Sequence, residues 1–148
     1  MRISHVVDRK GHRIFSVWPN RTLKDVIELL DANNVASLVV CEPDGRPVGI
    51  VTDRDVIRTL ARRGTSALSE PVRLSMLSPP PVCSPQDTVS AVLRQMTEAR
   101  VRHVVVTDRG LMVGLVSIGD LVKVRLDDAE IEGRVLRERA LGQMAFEQ

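Results

Sequence analysis

Aromatic side chains are nearly absent from this chain, which has two Phe, one Trp and no Tyr among 148 residues. Its core must therefore be built from Val, Leu and Ile, and a platform for stacking nucleic-acid bases is poorly supplied. Cysteine is also scarce. Cys41 and Cys83 stand far apart with no Cys-x-x-Cys spacing, so neither a zinc site nor a disulfide framework can be read from them. The longest apolar runs, such as Val104 to Val106, are far too short to span a bilayer, and Met1 to Lys10 holds no stretch suited to a secretory signal. A reducing cytoplasm is the expected location. Neither sign of charge dominates, since 21 Lys and Arg are interspersed with 19 Asp and Glu for a net charge of +2, which argues against bulk nucleic-acid binding. The three histidines, His5, His12 and His103, lack i, i+4 pairing, so no metal site is expected. Gly-x-Ser-x-Gly, a Walker-type phosphate loop and Gly-x-Gly-x-x-Gly are all missing, and catalysis is not expected.

What the chain does have is a hydrophobic fraction of 43%, enough for one compact domain with a real core, and an internal repeat. Pro19, Thr22 and Val26 recur 66 positions on as Pro85, Thr88 and Val92. Gly49, Thr52 and Asp55 recur 65 positions on as Gly114, Ser117 and Asp120, so a one-residue slip falls in the turn between the two blocks, where it costs little. Each unit reads as β-α-β-β-α. An extended piece (Ile14 to Val17; Pro81 to Cys83) precedes a helix with Thr22 or Thr88 at its N-cap and Leu23, Val26, Ile27, Leu30 or Val89, Val92, Leu93, Met96 at helical spacing. A β-branched hairpin follows, then a second helix carrying Val56, Ile57, Leu60 or Leu121, Val122, Val124.

One such unit has too little interior to be stable. The two are therefore expected to pack sheet against sheet around a pseudo-twofold axis in an α+β fold. The expected division is repeat 1 over 11–64, a Ser- and Pro-rich linker over 65–80, repeat 2 over 81–127, and a charged C-terminal helical extension over 128–148. That last helix carries Ile131, Val135, Leu136 and Leu141 at roughly helical intervals, an apolar side in need of a partner surface.

The strongest local feature is Gly-x-x-[Ser/Thr]-x-x-Asp at both strand-to-helix junctions. One reading is a nucleotide pocket, in which Gly admits the ligand, the hydroxyl and helix N-terminus present donors to an anion, and Asp accepts from two ribose hydroxyls. The other is a pair of capping boxes, Thr52 with Asp55 and Ser117 with Asp120. Arg100, Arg102 and His103 form a small basic cluster before the second hairpin, and Lys10, His12 and Arg13 another before the first strand. Each is readable as phosphate neutralisation or as a solvated helix end.

From Gly11 to Asp127 the chain resembles a tandem pair of cystathionine-β-synthase (CBS) domains, a Bateman module. The likeness is carried by Val35 to Asp55 (VASLVVCEPDGRPVGIVTDRD) and Arg102 to Lys123 (RHVVVTDRGLMVGLVSIGDLVK). Val39 and Val105 stand where family members often have Pro. The resemblance implies an adenine-nucleotide cleft in each half, for AMP, ADP, ATP, NAD or S-adenosylmethionine as a regulatory ligand with no required cofactor. Asp55 and Asp120 would hold ribose, Thr52 and Ser117 would bond ribose or phosphate, and Arg54 would reach phosphate. The backbone at Val17, Ala36, Ser37 and Leu38, and at Cys83, Arg102, His103 and Val104, would frame adenine, with Ile118 beside Ser117. Gly119 replaces Arg54 in the second copy, so the clefts should differ. It further implies a stand-alone sensor, a disc-like homodimer and a client protein. The alternative is an interaction scaffold with vestigial clefts.

Overall fold

The computed structural model describes residues 1–146. Residues 147–148 of the expected extension lie outside the described residues. The elements run α1 (Ile3–Lys10), β1 (Ser16–Val17), α2 (Leu23–Asn33), β2 (Ser37–Cys41), β3 (Pro47–Thr52), α3 (Asp53–Arg63), two 3-10 turns (Thr65–Ser69 and Val72–Leu74), β4 (Val82–Cys83), α4 (Val89–Ala99), β5 (His103–Asp108), β6 (Leu111–Ser117) and α5 (Ile118–Phe146). The fold is α+β with two three-stranded sheets, β1-β2-β3 and β4-β5-β6, each joining one parallel and one antiparallel pair.

The repeat extends to backbone detail. Both hairpins break register at the same place, between Val40 and Cys41 and between Val106 and Thr107. Both first helices start at a threonine whose hydroxyl accepts an N–H one turn on, Thr22 from Asp25 and Thr88 from Ala91. Both end in a left-handed residue, Asn34 at φ 51° and Arg100 at φ 55°. The extra residue of repeat 1 lies in the β2–β3 turn. Between the sheets, Val39, Cys41 and Ile50 pack with Val105, flanked by Ile14, Met112 and Leu115.

The outer faces of the sheets are covered by an exchange. α1 precedes repeat 1 in sequence, yet Ile3, Val6 and Val7 are buried with Cys83, Val89, Val92 and Met96 of repeat 2. Residues 65–80, expected to link the halves, do more than connect, since Ala67 and Val72 are buried with Val17, Leu23 and Val26 of repeat 1. Three equivalent backbone bonds hold each exchanged segment. Ile3 N–H donates to the Asp87 carbonyl (2.8 Å), Ser4 N–H to that of Pro85 (2.9 Å), and Val89 N–H to that of Met1 (2.9 Å). Val72 N–H to Arg21 (2.8 Å), Arg73 N–H to Pro19 (3.2 Å) and Leu23 N–H to Glu70 (3.0 Å) repeat the pattern.

Two helical details differ from the sequence reading. Ile57 and Val122, expected in the apolar stripes of the second helices, are 67% and 43% exposed. The stripes run instead through Val56 with Leu60 and Leu121 with Val124, because a step of three or four residues returns to one helix face and the residue next to Val56 or Leu121 does not. The charged extension is not a separate helix either. α5 is continuous over 29 residues, and its change of composition after Leu126 marks where it leaves the core, with no break in its backbone.

If the exchange completes the second core, Ile3→Ala should cost about 2–5 kcal/mol, as for a fully buried aliphatic residue. Leu136→Ala, on the exposed part of α5, should stay within about 0.5 kcal/mol. Urea unfolding of both variants checks this; equal midpoints would place α1 outside the core.

Candidate functional site

Two clefts open where the strand-to-helix junction of one repeat faces the segment leading into the first hairpin strand of the other. The first, of about 540 Å³, is lined by Thr52, Asp53, Arg54, Asp55 and Arg58 from one side and by Arg100, Arg102 and His103 from the other. The second, of about 240 Å³, is lined by Ser117, by Ala36 and Ser37, and by Lys10, Arg13 and Phe15. His103 borders both.

The capping boxes are formed at both junctions. Thr52 N–H donates to Asp55 Oδ2 (2.9 Å), and Asp55 N–H donates to Thr52 Oγ1 (3.2 Å). Ser117 N–H donates to Asp120 Oδ2 (2.8 Å), and Asp120 N–H donates to Ser117 Oγ (3.1 Å). Capping leaves room for a second role. The side-chain bonds these carboxylates accept among the described residues all end on Oδ2, so each Oδ1 retains its acceptor capacity.

The motif's glycines have a purpose other than ligand approach. A Cβ on Gly49 would lie 2.5 Å from Met76 Sδ and 3.0 Å from the Leu77 carbonyl oxygen, and one on Gly114 would lie 3.0 Å from a Val7 methyl. Both glycines therefore admit the exchanged segments. Val39 and Val105 have a comparable backbone duty, donating N–H bonds to the carbonyls of Phe15 (3.1 Å) and Pro81 (2.9 Å). Proline could donate neither bond.

Of the residues expected to bind nucleotide, Thr52, Arg54, Asp55, Arg102 and His103 meet in the first cleft, and Ala36, Ser37 and Ser117 in the second. Asp120 adjoins the second through Ser117 and Lys10. Leu38, Cys83 and Val104 are buried in the two cores. Val17 borders a shallow groove with Trp18 and Arg21, and Ile118 is partly exposed. One contributor went unread in the sequence: Arg58 stands one helical turn after Arg54, a spacing that signals a shared face. Lys10 reads as part of a basic cluster, but its reach to Asp120 across 110 positions is something no local pattern reveals.

Electrostatically the clefts are unlike. Lys10 Nζ lies 2.7 Å from Asp120 Oδ2, whereas Asp55 is in no ion pair among the described residues. Burial acts to raise the Asp120 pKa, but the bond from Lys10 and those from Ser117 together hold it below the ordinary carboxylate value. Burial first, then the cations Lys10 and Arg102, lower the His103 pKa against the opposing pull of Asp53 and Asp120. His103 is therefore neutral at pH 7. In the second cleft the Arg13 guanidinium lies 4.9 Å from the Phe15 ring centroid, at cation–π range. Among the described residues no helix is long and apolar enough to cross a membrane.

Two like halves, packed sheet to sheet with one cleft at each junction, define a tandem-repeat module of the Bateman kind. The chain belongs to the CBS domain family, whose model matches residues 3–62 and 72–127. The matched segments begin at Ile3 and Val72, the residues that occupy corresponding places in the exchange. Among curated relatives, the mitochondrial CBS domain-containing protein CBSX3 of Arabidopsis thaliana is 33% identical over 82% of this chain, which spans 63% of that protein. The CBS domain-containing protein ATU1752 from Agrobacterium tumefaciens superposes with a TM-score of 0.81 at 32% identity, covering 84% of this chain and 99% of that one. The CBS domain protein PAE2072 from Pyrobaculum aerophilum, solved in complex with AMP, gives 0.73 at 30% identity, covering 81% and 89%.

The Asp120 pKa is lower folded than unfolded, so its ionised form contributes stability above the unfolded value near 3.8, and that contribution is lost as pH falls through the lower folded value. Lys10→Met removes the cation responsible. In urea titrations the stability gap between wild type and Lys10→Met should be full near neutrality and close below roughly pH 4. A gap independent of pH would mean that Lys10 acts by packing alone.

Proposed function

We propose that this chain is a regulatory, non-catalytic module that binds an adenine nucleotide in the cleft at Asp55 and signals through a change in shape or self-association. The observation that carries the reading is the free Oδ1 of Asp55 in a cleft also lined by four arginines. Vicinal ribose hydroxyls donate to that oxygen. Phosphate then meets Arg54 and Arg58 of repeat 1 together with Arg100 and Arg102 of repeat 2, where charge-assisted bonds are strong. The AMP-bound relative at 30% identity supports the ligand class.

Signalling follows from where the arginines stand. Without an anion, like charges from the two repeats face one another across the cleft, and a bound phosphate reverses that repulsion. A ligand shifts such an equilibrium by its differential affinity for the two arrangements. In this reading the module works in the cytoplasm as a homodimer, with the exposed Leu126, Ile131, Leu136 and Leu141 of α5 supplying the surface through which the change is passed on.

Thermal melting with AMP, ATP and NAD tests the reading. Saturating ligand should raise Tm by selective binding to the native state, equivalent to about 2.7 kcal/mol at a hundredfold excess over Kd. Asp55→Ala should fold, lose about 1 kcal/mol of capping, and lose the ligand-dependent rise. An undiminished rise in that variant, or none in wild type at millimolar adenylate, would overturn it.

Proton linkage gives a second test. A phosphate beside neutral His103 favours its protonated form, so binding takes up a proton and tightens as pH falls toward the free imidazole's value, which burial holds below 6.5. Calorimetry with NAD, whose pyrophosphate does not titrate in this range, in buffers of different ionisation enthalpy should report this uptake, and His103→Gln should abolish it. Proton release on binding would contradict the assignment.

A further inference from the structure

Lys10 sits at the end of the exchanged helix α1, with its ammonium 2.7 Å from Asp120 Oδ2 and 2.8 Å from the Leu115 carbonyl oxygen. Both acceptors are fixed, one by the β6 backbone and the other by the cap of α5. The first cleft solves the corresponding problem without a cation. There the Ile50 carbonyl, equivalent to that of Leu115, accepts the Leu77 backbone N–H at 2.8 Å, and Asp55 is in no ion pair among the described residues.

We propose that Lys10 makes the two clefts unequal by engaging Asp120 from inside the second cleft, so that its sugar-binding carboxylate is already neutralised and the chain takes one nucleotide, in the first cleft. The proposal rests on the nucleotide reading above. Three observations carry it. The Lys10–Asp120 pair joins a full positive charge to a partly buried carboxylate, and with that charge already engaged at Oδ2 the remaining Oδ1 is a weaker acceptor for a ribose hydroxyl. Displacing Lys10 also leaves that carboxylate without its cation. On the phosphate side, Gly119 stands where the first cleft has Arg54, so among the described residues the second cleft's lining has one arginine, Arg13, against four in the first. Finally, the second cleft offers about 240 Å³ against about 540 Å³ in the first.

The rival role for Lys10, as a phosphate ligand of the second cleft, predicts the opposite sign. Calorimetric titration of the full chain with AMP separates the two. Wild type and Lys10→Arg should bind one equivalent. Lys10→Met, which keeps the aliphatic stem, and Lys10→Ala should bind two, with melting curves confirming that both are folded. In the Lys10→Met background, Asp55→Ala should restore a stoichiometry of one. Two equivalents in wild type, one equivalent in both neutral variants, or AMP binding lost on removing the lysine would each overturn the proposal. One equivalent in all forms fails the latch and leaves the nucleotide reading intact, whereas no binding by any form fails both.

Discussion

Neither sheet can be covered by its own repeat, and the rest of the structure depends on that shortage. Three short strands with two helices across their outer face leave a gap, and each gap is closed by the segment that precedes the other repeat in sequence. Three aliphatic side chains of α1 enter the second core, each worth about 1.5–3 kcal/mol of burial, a sum comparable to the whole stability of a small domain. The halves are thus interdependent, and their two junctions are held at a fixed separation by something stiffer than a linker. Gly49 and Gly114 belong to this arrangement, because a side chain at either would push the exchanged segment off the sheet.

The clefts are a by-product of the same exchange. Each is walled by a junction from one repeat and a hairpin entrance from the other, and the exchanged chain supplies the remaining edge, Leu77 in the first and Lys10 in the second. At the junctions a single carboxylate has two oxygens and two separable duties. Oδ2 closes the helix cap in either state, which holds the side chain in one rotamer and leaves Oδ1 preorganised for a ligand. A capping box and a sugar-binding carboxylate are therefore compatible readings of one residue.

The repeat, the strand order within each hairpin and the threonine caps were legible in the sequence because they rest on short-range patterns: apolar spacing, β-branched runs and capping residues. The exchange was not legible. Met1 to Lys10 and residues 70–79 make equivalent backbone bonds with dissimilar side chains, since a helix and a 3-10 turn can present the same amides from unrelated sequences. The continuity of α5 was hidden for a related reason. A change from apolar to charged composition signals where a helix leaves a core and says nothing of where its hydrogen bonds stop. At the site, Thr52, Arg54, Asp55, Arg102 and His103 could be brought together from the motif and the basic cluster, whereas the Lys10–Asp120 pair requires the exchange to be known first.

A symmetric scaffold can carry an asymmetric function only where its two halves are free to differ. Here the shared elements are those the core enforces: register breaks at matching positions, left-handed residues at Asn34 and Arg100, and valines at 39 and 105 bonded to the preceding strand. Charge is not among them. Arg54 is matched by Gly119, His103 by Ser37 and Arg102 by Ala36, and each pair sits at a cleft or its junction. Arg54, Gly119, Arg102 and Ala36 are exposed, so a substitution there leaves the core untouched while changing the field that an anion meets. His103, bordering both clefts, is where the two fields overlap. A charge entering either cleft therefore meets the same imidazole.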